Sequence, residues 1–122
     1  MDPRALGRAA ETAVAHELAR RGYSVIGKNV RLQRGELDLI AQRDGRLWFV
    51  EVKCRARADV GPPHRAVDRR KRRALFAAAR EHLHRSRERR CFGFLVASVV
   101  WAGAGQPPII TLARLTVTPP SS

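Results

Sequence analysis

The chain has 122 residues, with 24 Lys or Arg against 11 Asp or Glu, a net charge of +13 and a sequence pI near 11.6. That length suits one domain with a single core, needing neither disulfides nor a structural metal, and Cys54 and Cys91 form no C-x-x-C motif. With no charged-then-apolar leader and no 18-residue apolar run, a cytoplasmic protein with reduced thiols is expected. So basic a domain attracts polyanions, among which nucleic acid is the commonest in a cytoplasm.

Residues Ala5 to Arg21 read as a helix, alanine-rich and free of proline after Pro3. Its apolar stripe includes Val14, Ala15 and Leu18, and Glu11 lies three, four and seven residues before them, on the stripe itself. A buried carboxylate is costly unless paired or metal-bound. Periodicity leaves two readings open, an edge acid paired with Arg8 or Arg31, or an acid belonging to a site. Tyr23 to Val30 follows as a first strand.

Glu36 to Ala41 and Leu47 to Cys54 are rich in Leu, Ile, Val, Phe and Trp, and Asp44-Gly45 between them is a two-residue turn signal because both residues tolerate positive φ. Pairing Arg43 with Arg46 makes partner numbers sum to 89 along an antiparallel ladder. Asp38 then lies opposite Glu51, and Glu36 opposite Lys53. Alternation puts Glu36, Asp38, Phe49, Glu51 and Lys53 on one face and Leu37, Leu39, Val50 and Val52 on the other. Facing carboxylates have Cβ atoms about 4.5–5.5 Å apart and repel one another, so a divalent cation between them is the natural partner. The bland alternative is a surface ladder in which Lys53 neutralises Glu36, which an exposed Phe49 makes hard to accept. Cys54, facing away from Lys53, is expected to serve packing.

After Gly61-Pro62-Pro63, Ala66 to Arg85 reads as a second helix with an apolar stripe of Val67, Ala74, Leu75, Ala78 and Ala79. Lys71 falls four residues after Val67 and three before Ala74, at or beside that stripe. Arg69, Arg70, Arg72 and Arg73 are expected to point outward and, with Arg55, Arg57 and Lys71, to track phosphates, fixing affinity but not sequence specificity. No aromatic interrupts this run, so base stacking on it is not expected. Phe92 to Trp101 reads as a strand buried on both faces and Ile109 to Leu115 as an edge strand, with a loop at 103–106 between them and a loose tail at 118–122. The expected organisation is a single domain over residues 1–117, α/β, with a mixed sheet flanked by helices in the order αβββαβ(β). The crossover should set Phe92 to Trp101 parallel to Leu47 to Cys54.

The string Gly35-Glu36-Leu37-Asp38-Leu39-Ile40, followed by Phe49-Val50-Glu51-Val52-Lys53, closely resembles the YraN-type family of small bacterial proteins. The likeness also takes in Gly7, Glu11, Gly22-Tyr23, Asn29, Gly61 and Lys71. That family in turn looks like the PD-(D/E)XK nucleases, archaeal Holliday-junction resolvases in particular. The resemblance implies a restriction-endonuclease-like fold, with Asp38 and Glu51 as metal-binding carboxylates, Lys53 as the active-site lysine, Glu11 as the helix-borne acid and the Val52 carbonyl as an extra ligand of Mg²⁺ or Mn²⁺. It also implies a homodimer, since two symmetric nicks need two sites. Two departures stand out. Leu37 replaces the proline of the superfamily motif, and Cys91-Phe92-Gly93 replaces Arg-Phe-Asp, removing two polar groups at the start of a strand. The leading expectation is a metal-dependent endonuclease acting on DNA, branched or damaged forms included. Alternatives from other classes are a non-catalytic nucleic-acid-binding module on the same fold, and a basic RNA- or ribosome-associated protein.

Overall fold

The computed structural model describes residues 2–56, 61–103 and 105–117. The expected tail and Arg57 lie outside them. The first helix, α1, runs Pro3–Arg20, with the Asp2 carboxylate accepting from the Ala5 N–H as its cap. Strands β1 (Ser24–Leu32), β2 (Gly35–Arg43) and β3 (Arg46–Arg55) follow, then a 3₁₀ turn at Pro63–Ala66, helix α2 (Arg69–Ser86), and strands β4 (Phe92–Val100) and β5 (Ile109–Leu115). The five strands form one sheet in sequential order, all antiparallel neighbours except the parallel pair β3 and β4. The crossover rule therefore holds, and β3 and β4 occupy the protected centre of an α/β domain.

The hairpin register is the one the turn predicts. Asp44 and Gly45 have φ of +53° and +74°, and the ladder runs from Arg43 with Arg46 to Leu39 with Val50. The two helices cover opposite faces. On one, Ala10, Val14 and Leu18 of α1 pack with Leu39, Ala41, Trp48, Val50, Leu95, Ala97 and Val99. On the other, Leu75, Ala78 and Ala79 of α2 pack with Ile40, Leu47, Phe49, Phe94, Val96 and Leu115.

Four expectations need correction. Helix α2 begins at Arg69, because Pro62 and Pro63 initiate the 3₁₀ turn and Asp68 caps the helix through the Lys71 N–H. Within it, Ala74 is exposed, since the helix rolls its Leu75–Ala78–Ala79 edge toward the sheet. Cys54 is exposed near the end of β3 and does not serve core packing. Leu37 belongs to the α2 core and not with Leu39, because β2 leaves the β3 ladder beyond Leu39 and strict alternation fails there.

Candidate active site at the parting of two strands

The place where β2 and β3 part is where the acids gather. A continued ladder would offer the Val52 N–H a backbone acceptor on β2. Instead the Asp38 carboxylate accepts it, Oδ2 lying 2.9 Å from the Val52 nitrogen. The expected backbone pairing of Asp38 with Glu51 and of Glu36 with Lys53 therefore does not form, yet the Asp38 and Glu51 side chains still meet. Glu36 pairs with Arg31 on β1 instead, and among the described residues no ion pair joins it to Lys53.

Glu51 sits between Phe49 and Lys53 on the α2 face, with a side chain only 3% exposed. Burial pushes its carboxyl up to about 8, the adjacent Asp38 pushes the same way, and the Lys71 ammonium opposes both. Lys71 reaches down from the first turn of α2 to place Nζ 3.3 Å from Glu51 Oε2. Its predicted position beside the apolar stripe thus becomes a specific contact with the buried acid.

Glu11 approaches from the α1 side. Burial raises its carboxyl above the ordinary value, as does the charge of Asp38, while the Asn29 side chain and the Lys28 charge oppose the rise. Asn29 takes φ of +48° within β1, a left-handed conformation that asparagine tolerates. The alternative partners Arg8 and Arg31 form no ion pair with Glu11 among the described residues. Asp38 is thus the hinge of the constellation, touching Glu51 on one side and felt by Glu11 on the other. The three acids do not close into a ready-made metal cluster, since no group of three His, Cys, Asp or Glu among the described residues is gathered tightly enough to hold an ion.

The basic residues divide by role. Arg69, Arg70 and Arg73 are exposed on α2, as expected of phosphate-tracking side chains. Arg72 does not join them. Its guanidinium donates to the carbonyls of Val67, His64 and Thr116 at 2.9, 2.7 and 3.0 Å, stapling the 3₁₀ turn and the end of β5 to α2. Arg55 donates to the Gly61 carbonyl at 2.8 Å across the β3–α2 connection. No periodicity signals such staples, because their acceptors are backbone carbonyls of turns and strand ends that lie outside the helix and strand repeats.

The departure at Gly93 has a packing cause. A Cβ there would lie 2.6 Å from the Trp48 ring, so glycine is the residue that lets this indole fill the α1 face. Arg46 and Arg114 stack on the same ring, their guanidinium carbons 5.0 and 5.1 Å from its centroid. Gly93 pairs with Trp48 and Val96 with Glu51, three residues and about 10 Å along the strand. The altered segment is therefore remote from the acid pair.

Comparison with known proteins agrees with the central part of the chain. The model of the uncharacterised protein family UPF0102 matches residues 10–99, from the first helix through β4. A UPF0102 protein of Chlorobium phaeobacteroides is 38% identical over 90 residues, covering 74% of this chain and 71% of the relative. One of Symbiobacterium thermophilum is 46% identical over 82 residues, 67% of this chain and 70% of the relative. One of Prosthecochloris aestuarii is 44% identical over 81 residues, 66% and 64% respectively. Both the hairpin acids and Glu11 fall inside the matched span, and the chain belongs to the UPF0102, or YraN-type, family.

Proposed function

We propose that the protein is a divalent-metal-dependent phosphodiester hydrolase of the PD-(D/E)XK type, acting on DNA. The observation that carries this reading is the contact between Asp38 and a buried Glu51 at the parting of β2 and β3, in a chain of net charge +13. A carboxylate buried out of water against a second, half-buried one is unfavourable without a cation, and a structural core has no need of the pair.

The donors fit a hard divalent ion, which takes oxygen ligands from one or two carboxylates and completes its shell with water and substrate phosphate. Asp38 and Glu51 would hold Mg²⁺ or Mn²⁺, with the Val52 carbonyl beside them, since a strand residue's N–H and C=O face the same neighbour and the Val52 N–H faces Asp38. Glu11 would add a ligand from α1, directly or through water. A metal bound there supplies Lewis-acid polarisation of a phosphoryl oxygen and a more acidic water. Lys53, half-buried and without an ion-pair partner among the described residues, would orient the nucleophile or neutralise charge on the phosphoryl group. Exposed Arg69, Arg70 and Arg73 would hold the flanking phosphates.

The test is a cleavage screen over linear, flapped, nicked and four-way DNA with Mg²⁺ or Mn²⁺, run beside Glu51→Ala and Asp38→Ala. Metal-dependent cutting that both substitutions abolish supports the assignment, and cutting that survives both overturns it. One observation favours a second reading, a non-catalytic nucleic-acid-binding module. Lys71 already sits on Glu51, and no three-ligand cluster is closed among the described residues. A folded protein that binds DNA but neither binds Mn²⁺ nor cuts any substrate would establish that reading. A tight, salt-sensitive RNA complex that displaces DNA would point to the RNA-associated class instead.

A further inference from the structure

Among the described residues Lys71 is the one cation in contact with the buried acid, and the way it is held suggests a role that depends on its leaving. Its backbone is fixed, since the Lys71 N–H donates to the Asp68 cap at 2.8 Å, and the next residue, Arg72, locks the start of α2 to three carbonyls. Its side chain is far less constrained. It is 42% exposed, and among the described residues only the Nζ contact with Glu51, itself 3% exposed, holds the ammonium inward. One lysine serves two touching carboxyl groups and, among the described residues, pairs with only one of them, Glu51.

We infer that Lys71 is a resident counter-cation of the Asp38–Glu51 pair that an incoming divalent ion displaces, freeing its ammonium for a substrate phosphate. This rests on the proposed metal site. An ion shared by both carboxylates would repel an ammonium seated 3.3 Å from Glu51 Oε2, whereas outside the acid pair Lys71 joins the exposed Arg69, Arg70 and Arg73 on the same turn. Metal and nucleic acid should therefore favour each other through one side chain, and such coupling is reciprocal. Lys71 is a positioning residue in this scheme, competing for Glu51 before the metal arrives.

The experiment measures Mn²⁺ affinity by electron paramagnetic resonance on the purified full chain without nucleic acid, for the wild type, Lys71→Met, Lys71→Gln and Lys71→Arg. Removing the competing charge should tighten Mn²⁺ binding about tenfold in both neutral variants, within the usual range of coupling, while Lys71→Arg stays near the wild type. In a parallel measurement, non-cleaving Ca²⁺ should raise the wild type's affinity for a DNA duplex, and the neutral variants should lose most of that increment. Folding of each variant is checked by its melting transition in chelator, and the two neutral side chains differ enough in polarity to serve as alternates. Unchanged or weaker Mn²⁺ binding in the neutral variants, beside a wild type that binds, overturns the displacement model and leaves the hydrolase reading standing. No Mn²⁺ binding by any folded variant overturns both.

Discussion

Two sets of carboxylates in this small basic chain behave in opposite ways. Glu17, Glu81 and Glu88 lie at the surface, where they meet arginines or backbone N–H groups that hold their carboxyls below the ordinary range. Glu17 bonds Arg20 and Arg21, Glu81 caps the Gln33 and Arg34 N–H groups of the β1–β2 turn, and Glu88 is drawn down to about 2 by Arg90. Glu51 and Glu11 are pushed the other way by burial and by Asp38. The first set favours the folded state as charged groups, whereas the second is kept despite an electrostatic cost. Within one domain, an acid arrangement that opposes folding marks the place where something other than stability is served.

The largest expected effect lies at the costly pair. Glu51→Gln or Asp38→Asn should lower metal-dependent cleavage by about a hundredfold or more while leaving the fold intact, as single-turnover assays on four-way and flapped DNA would show. An active Glu51→Gln protein would erase the functional side of the contrast.

Stability should move in the opposite direction. A carboxyl raised from 4.5 to about 8 contributes stability that is fully present below the unfolded value and lost as pH rises through 8. In chelator, Glu51→Gln should therefore flatten the fall in Tm between pH 4.5 and 8, and at pH 8 should raise Tm above the wild type's. Thermal melts across that window provide the check, and an unchanged slope would show that Glu51 is not strained.

Smaller effects belong to the surface acids, and their sign is reversed. Glu81→Ala removes the acceptor for two turn N–H groups and should lower Tm modestly at neutral pH. Its wild-type contribution is present above 4.5 and fades as the pH falls. Smallest of all, Glu88→Gln should soften acid unfolding between pH 4.5 and 2 with little change at neutrality, because Glu88 is lowered by exposed contacts. A Tm gain in either variant at neutral pH would collapse the division between the two sets.

The same contrast separates what is legible in the residues from what is not. Asp44-Gly45 sets the register because a two-residue turn with both φ positive admits one pairing, and the ladder as far as Leu39 with Val50 follows from counting, though not the pairing of Asp38 with Glu51. Glu11 can be placed on the α1 stripe by helical period, and the parallel placement of β4 by crossover handedness. These depend on rules that act over a few residues or on chain chirality, so the sequence by itself determined the hairpin turn, the presence of both helices and the α/β order, but not where α2 begins. Tertiary structure alone decided where β2 leaves β3, so that Leu37 changes core and a carboxylate takes the Val52 N–H. It also decided that Lys71 meets Glu51, that Arg72 is spent on three carbonyls of the 3₁₀ turn and the end of β5, and that Trp48 requires glycine at position 93. Most of these join residues remote in the chain, and such contacts depend on how helices, strands and turns meet in space, a quantity that neither periodicity nor spacing encodes.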